Sequence, residues 1–190
     1  MTIAAEGWIR VIPSRAHRHA RERLVRLREV RDQVRTLLPV RELGERAGCP
    51  GLGVIFAVAA TLDRLQQTRL AVLTPYNEDL TRSVAAAVPT GREIVCAYGM
   101  GIEDNIALAD PTPAEIVAFA SERLAGRAFD GIFVSCTNFR AYEARAALSE
   151  EFGVPVVTSN SAVIDAIQRF RDASLSRCAT LRTAQGSMAI

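Results

Sequence analysis

Apolar and polar positions alternate in regular blocks along the chain from about residue 52 onward. Four short runs are apolar almost throughout and are bounded by Pro, Gly or polar residues, which is typical of buried strands. Longer segments between them carry apolar residues at helical spacing. The pattern predicts strands over 69–74, 93–98, 130–135 and 154–158 and helices over 54–67, 78–88, 112–124, 139–152 and 161–174.

One helix start has a clear local signature. Thr112 is a good cap, Pro113 fits the first helical position, and Glu115 follows at capping-box spacing. Because apolar strands alternate with amphipathic helices, the chain is predicted to have an α/β fold, with a parallel sheet flanked by helices on both faces. Ligands of such sheets bind beyond the carboxyl ends of the strands.

The first 52 residues follow a different pattern. They predict one amphipathic helix over 15–35 and no clean strand, and the first 50 hold eleven Arg against six acidic residues. We interpret this basic excess as a solvated helix face, with an arm for nucleic acid or anionic lipid as the alternative. The chain is thus divided into an Arg-rich head over 1–52, an α/β domain over 53–175 and an atypical tail over 176–190.

Composition excludes several classes of protein. A chain of 190 residues with 49% hydrophobic positions can bury a core, which excludes a disordered protein. Its most apolar stretch, 54–62, is about half as long as a membrane span. Four Cys without a CxxC pair predict neither zinc nor disulfides. We expect a cytoplasmic protein with no metal, no cofactor and no membrane or nucleic-acid partner.

Small hydroxyl and amide side chains follow each predicted strand. Backbone N–H groups at such strand-to-helix junctions point along the helix dipole, so they favour a bound carboxylate. The junctions are Thr74-Pro75-Tyr76-Asn77, the loop that contains Asn105, Ser135-Cys136-Thr137-Asn138 and Ser159-Asn160-Ser161.

Cys136 is the strongest catalytic candidate. It follows the apolar run 132–134 and precedes a predicted helix, where the positive end of the helix favours the nucleophilic thiolate. The alternative is a small buried hydrophobe, which is how we interpret Cys96 in the middle of its strand.

Several motifs resemble one enzyme family when taken in their order along the chain. Their combination resembles maleate cis–trans isomerases, which belong with arylmalonate decarboxylases to the aspartate/glutamate racemase superfamily. The resemblance covers roughly residues 54–172 and rests on these motifs: Thr74-Pro75-Tyr76, Asn105, the run 130–138 (Asp-Gly-Ile-Phe-Val-Ser-Cys-Thr-Asn) and the run 155–160 (Pro-Val-Val-Thr-Ser-Asn).

The resemblance implies a cofactor-free site between two similar α/β halves, with one Cys facing the ligand from each half. In the isomerases the first-half Cys adds to the double bond of maleate, the resulting single bond rotates, and the second-half Cys donates a proton. Cys136 matches this second Cys, and a homodimer is also implied. The implied substrate-binding residues are Tyr76, Asn105, Thr137, Asn138 and Thr74.

The first half of that pattern has no counterpart here. Cys49, the only thiol before Tyr76, is followed by Pro50 and Gly51 and has no predicted strand before it. We therefore expect a racemase-like fold with a shortened or altered first half. The first functional hypothesis is an isomerase acting on maleate or a similar small (di)carboxylic acid. An arylmalonate decarboxylase-like enzyme that uses only Cys136 and a carboxylate-binding protein without turnover are the alternatives.

Overall fold

The structure is a computed structural model that describes residues 40–49, 51–88 and 91–186. The chain divides into two compact units after Gly53. In the first unit, helix α1 spans Val40–Ala47. The helix predicted over 15–35 lies outside the described residues, and the predicted limits of the head and tail stay predictions.

The second unit contains a parallel sheet, as the alternating pattern predicts. The four strands have the order β2-β1-β3-β4, and every neighbouring pair is parallel. The α/β fold class is therefore confirmed. In chain order the elements are α2 Val54–Arg64, β1 Arg69–Thr74, α3 Glu78–Ala87, β2 Glu93–Gly99, a 3-10 turn Ala107–Ala109, α4 Pro113–Leu124, β3 Gly131–Val134, α5 Ala141–Phe152, β4 Val156–Thr158 and α6 Ser159–Gly186.

Two apolar layers cover the sheet, because alternate side chains of a strand point to opposite faces. On one face Leu73 of β1 and Ile132 of β3 pack with residues of α4 and α5. On the other face Val72 and Phe133 pack with residues of α2 and α6. The central strands β1 and β3 are thus buried on both sides, whereas β2 at one edge is only half-buried.

The predicted helix boundaries hold where a capping signal is present. Thr112 and Glu115 form the expected capping box at the start of α4. The predicted limits of the last helix are wrong at both ends. Helix α6 begins at Ser159 instead of residue 161. It continues past residue 174 to Gly186, because no Pro or Gly interrupts it before Gly186. Among the described helices, none is long and apolar enough to cross a membrane.

A carboxylate joins the amino-terminal ends of β1 and β3. Asp130 accepts hydrogen bonds from the Thr68 N–H at 2.9 Å, the Thr68 hydroxyl at 2.7 Å and the Arg69 N–H at 2.9 Å. Burial raises the pKa of Asp130, but the hydrogen bonds from Thr68 and Arg69 outweigh burial and hold it below its usual value. The ionised form is therefore favoured in the fold.

We expect Asp130→Asn to lower the free energy of unfolding by about 1–2 kcal/mol at neutral pH. The Asn side chain has one acceptor oxygen instead of two, so fewer of the Thr68 and Arg69 donors keep a hydrogen-bond partner. The lowered pKa makes the stabilisation from Asp130 present above about pH 4 and lost as the pH falls through the folded-state pKa. Urea unfolding at neutral and acid pH measures both effects. Asp110→Asn, at an exposed position, is the control and should change little; an equal loss in both variants would contradict the role of Asp130.

Candidate active site

The candidate site lies at the carboxyl edge of the sheet, where the strand order reverses. From β1 the chain proceeds to β2 on one side, and from β3 it proceeds to β4 on the other. Such a reversal leaves a crevice between the two central strands, which is where parallel sheets bind ligands. Tyr76 follows β1 and Cys136 follows β3, so the two residues flank this crevice.

Cys136 is held in an unusual backbone conformation. Its φ angle is +130°, in a region that residues with a side chain rarely adopt. Such a conformation costs about 1–3 kcal/mol and persists only where neighbouring groups fix it. The residue is buried, and its backbone N–H donates to the Ser159 hydroxyl at 3.2 Å.

The Tyr76 hydroxyl and the Cys136 thiol lie near enough to interact. Burial, the nearby charge of a Cys136 thiolate and hydrogen bonding to that sulfur together raise the pKa of Tyr76 far above its usual range. Tyr76 therefore remains a neutral O–H group at any physiological pH. A neutral hydroxyl beside the sulfur can donate a hydrogen bond to the thiolate when Cys136 loses its proton.

A buried pair of threonines fixes the position of Tyr76. The Thr74 and Thr81 hydroxyls are 2.6 Å apart, and the Tyr76 N–H donates to the Thr74 hydroxyl at 3.2 Å. Asn77 then caps α3 by accepting a hydrogen bond from Leu80. Thr74, which the resemblance implies as a substrate-binding residue, has no exposed surface. Its hydroxyl accepts the hydrogen bond from the Tyr76 N–H and so helps to fix the turn that follows β1.

The other implied substrate-binding residues are exposed at the same edge. Asn105, Thr137 and Asn138 are all accessible to solvent. The Asn138 side-chain amide donates to the Asn105 backbone carbonyl at 3.2 Å, which joins the loops after β2 and β3. The structure thus brings these two residues together, and their roles in binding stay predictions.

The start of α5 adds an anion-favouring group to this edge. Its N-cap residue, Arg140, makes no side-chain cap, and its guanidinium instead pairs with Glu143 at 2.6 Å. Helix α5 begins five residues after Cys136, and the amides at a helix start favour a carboxylate. Within the described ranges, no group of three or more His, Cys, Asp or Glu residues could hold a metal ion.

The structure describes two other thiols. Cys49 is exposed in the first unit, and Cys96 is half-buried in β2. Burial raises the pKa of Cys96, and the charge of Arg127 partly offsets this. Cys96 packs against the core layer that contains residues of α4 and α5, as a small hydrophobe would.

Three residues that position the site are not among the predicted site residues, although Ser159 and Asn160 belong to one of the strand-to-helix junctions found in the sequence. Ser159 and Asn160 contact the Cys136 turn, and Gly99 lies against the Tyr76 turn. The available signals were weak: Ser159 and Asn160 are polar residues directly after an apolar strand, and Gly99 ends another. Neither pattern says which neighbouring loop the residue will contact.

Tyr76→Phe is expected to change the alkaline behaviour of the fold. Because the pKa is raised, folded Tyr76 stays protonated while the unfolded chain ionises near pH 10, so its stabilisation is present below about pH 10 and is lost above it. Tyrosinate absorbance should rise equally in the two folded proteins, and the wild type should gain extra signal only on unfolding. A larger tyrosinate signal from the folded wild type would contradict the buried contact with Cys136.

The sequence model of the arylmalonate decarboxylase family matches residues 34–181. The chain belongs to the arylmalonate decarboxylase family. A crystal structure of arylmalonate decarboxylase is similar at 26% identity with a TM-score of 0.61, over 68% of this chain and 58% of that one. This confirms the resemblance on which the sequence analysis relied.

Maleate isomerases share the fold of this family member. The isomerase Iso from Pseudomonas putida S16, a cysteine-to-alanine variant with maleate, has 23% identity and a TM-score of 0.63, over 70% of this chain and 54% of that one. A Nocardia farcinica maleate cis–trans isomerase, a cysteine-to-serine variant with a covalently bound succinylcysteine intermediate, has 22% identity and a TM-score of 0.58, over 70% and 55%.

The chain spans 54% to 58% of the length of these three structures. The proteins named in these structures are enzymes. A comparison with curated proteins gave no match.

Proposed function

We propose that the protein is a cofactor-independent enzyme in which Cys136 transfers a proton to a carbon next to a carboxylate. The reaction that we propose first is decarboxylation of a small malonate-type acid with an aromatic substituent. One observation carries this proposal: the Cys136 thiol lies at the carboxyl edge of the sheet, beside Tyr76, in a chain of the arylmalonate decarboxylase family.

The proposed step is balanced with this thiol alone. Loss of carbon dioxide leaves the bonding electron pair on the α-carbon, as an enediolate conjugated with the remaining carboxylate. The Cys136 S–H donates its proton to that carbon, which forms the C–H bond of the product. The thiolate then accepts a hydrogen bond from Tyr76 until water returns a proton to the sulfur.

The remaining carboxylate needs neutral donors around it. We assign this role to the side chains of Asn105, Thr137 and Asn138 and to the first amides of α5. Preorganised donors are effective where negative charge develops, because they do not have to reorient during the reaction. Thr74 contributes by holding Tyr76 and does not itself bind the substrate in this proposal.

A second candidate is cis–trans isomerisation of maleate or a related acid. The fold neighbours that bind maleate or carry a succinylcysteine favour this candidate. In this reaction a second thiolate adds to one carbon of the double bond and the Cys136 S–H protonates the other, which leaves a single bond that can rotate. The Cys136 thiolate then takes that proton back while the second thiolate is expelled, which forms the trans product. The family match favours decarboxylation, because the isomerases resemble this chain at 22–23% identity and share the fold alone.

The test is an assay of the purified chain with 2-phenylmalonate and, separately, with maleate. Carbon dioxide release that disappears in Cys136→Ala supports the proposed decarboxylase, and fumarate formation supports the isomerase. Thermal stabilisation by malonate or maleate without turnover would favour the third hypothesis, a carboxylate-binding protein, over both. The implied homodimer and the absence of a nucleic-acid partner stay predictions.

A further inference from the structure

Two side chains that follow β4 form hydrogen bonds to the backbone around Cys136, in the turn that joins β3 to α5. The Cys136 N–H donates to the Ser159 hydroxyl at 3.2 Å, and the Asn160 side-chain amide donates to the Thr137 carbonyl at 3.0 Å. The first bond fixes the peptide before Cys136, and the second fixes the peptide after Thr137. The two bonds therefore restrain the backbone on both sides of the sulfur-bearing residue.

The restrained segment contains the residue with the unusual backbone conformation, Cys136. The Cys136 φ angle of +130° has no local cause, because a residue with a Cβ adopts an ordinary φ when nothing opposes it. The neighbouring structure must therefore hold the turn. Ser159 is a direct partner of the Cys136 backbone, and its side chain is almost completely buried.

The backbone that carries Ser159 and Asn160 is itself held by hydrogen bonds. Thr158 and Ser161 exchange hydrogen bonds at the start of α6: the Ser161 N–H donates to the Thr158 hydroxyl, and the Thr158 N–H donates to the Ser161 hydroxyl, both at 2.9 Å. Thr158 is also paired in register with Val134 of β3, two residues before Cys136. Ser159 and Asn160 are therefore fixed relative to the strand that carries Cys136.

We propose that Ser159 and Asn160 are positioning residues that hold the Cys136 thiol in contact with Tyr76 at the carboxyl edge of the sheet. The inference deepens the proposed function and rests on it for its catalytic meaning. Without these two bonds the turn relaxes toward an ordinary φ angle, and the sulfur leaves the Tyr76 hydroxyl. The loss of positioning can be measured without any substrate.

The first test is a double-mutant cycle on stability. Glycine accepts φ of +130° without strain, so Cys136→Gly should have a higher urea midpoint than Cys136→Ala. If Ser159 maintains the strained turn, adding Ser159→Ala to each variant should shrink that difference to about half or less. An unchanged difference in the two backgrounds would overturn the inference.

The second test follows alkylation of Cys136 by iodoacetamide, with the modified peptide measured by mass spectrometry. In Ser159→Ala the buried thiol should react at least about threefold faster, because the turn opens locally. Ser159→Thr keeps the hydroxyl and should restore the wild-type rate. The control is Ser149→Ala, which removes a half-buried hydroxyl that donates to the Val154 carbonyl and has no hydrogen bond to residues 136–138 or 158–161. Equal rates in Ser159→Ala and Ser149→Ala would refute a specific role for Ser159.

Turnover separates this inference from the proposed function. In an active enzyme, Ser159→Ala and Asn160→Ala should lower kcat with little change in KM, whereas Ser149→Ala should not. If the wild type is inactive but the midpoint difference and the alkylation rates change as expected, the proposed function fails and the positioning role stands. If neither changes as expected, the positioning role fails whatever the activity.

Discussion

Replacing Cys136 with alanine is expected to lower kcat for decarboxylation of a 2-arylmalonate by about 100-fold to 10,000-fold, the usual contribution of a positioned acid. The side chain is the proposed proton donor, and alanine leaves no acid in contact with Tyr76. KM should change much less, because the proposed carboxylate donors are other groups. Carbon dioxide release at several substrate concentrations separates kcat from KM.

Two further variants make this prediction specific to the sulfur. Cys136→Ser keeps the shape of the side chain but is a far weaker acid, so it should be nearly as slow as Cys136→Ala. Cys96→Ala removes a half-buried thiol from the same sheet and should keep the wild-type rate. Substantial turnover by folded Cys136→Ala would exclude Cys136 as the proton donor in either proposed reaction.

Gly99→Ala is expected to lower the free energy of unfolding by about 3 kcal/mol, at the upper end for overpacking. Gly99 ends β2, where it is paired with Thr74. A Cβ there would collide with the Tyr76 backbone carbonyl and the buried Thr81 hydroxyl. Neither atom can move freely, since the Tyr76 carbonyl accepts from the Gly101 N–H at 2.9 Å and Thr81 bonds to Thr74.

Gly153→Ala is the matched control. Gly153 ends α5 with φ of +66°, but a Cβ there meets no atom within 4 Å. Its replacement should therefore cost only the backbone term, about 1 kcal/mol. Chemical unfolding of the two variants compares a collision with a conformational penalty. Equal losses would show that the close approach of Gly99 to the Tyr76 turn does not matter for stability.

The sheet was predictable from the sequence because its strands are apolar on both faces. Strand β1 has the predicted limits, Arg69–Thr74. Strand β4 is shorter than predicted and begins at Val156, because Pro155 has no N–H to donate to a ladder. The start of α6 at Ser159 depends on the exchange of hydrogen bonds between Thr158 and Ser161, which apolar periodicity does not report.

The site was predictable in composition but not in geometry. Strand ends pointed to Tyr76 and Cys136, and the parallel order brings both to one edge. The positive φ angle of Cys136 is not encoded by its own residue type, and it depends on Ser159, which is 23 residues further along the chain. Such long-range hydrogen bonds do not appear in the periodicity of apolar residues along the chain. The burial of Thr74, whose hydroxyl bonds to Thr81 and accepts from the Tyr76 N–H, is likewise not visible in the sequence, and its role in binding stays a prediction.

Because the central strands are buried, the residues at the carboxyl edge of the sheet fall into a fixed group and an exposed group. Tyr76 and Cys136 follow the two buried central strands, whereas Asn105 belongs to an exposed loop beyond the half-buried edge strand β2. Residues at that rim can be exchanged without repacking the interior. Under the proposed function, substitutions at this rim would change which acids are accepted while Tyr76 and Cys136 keep their places.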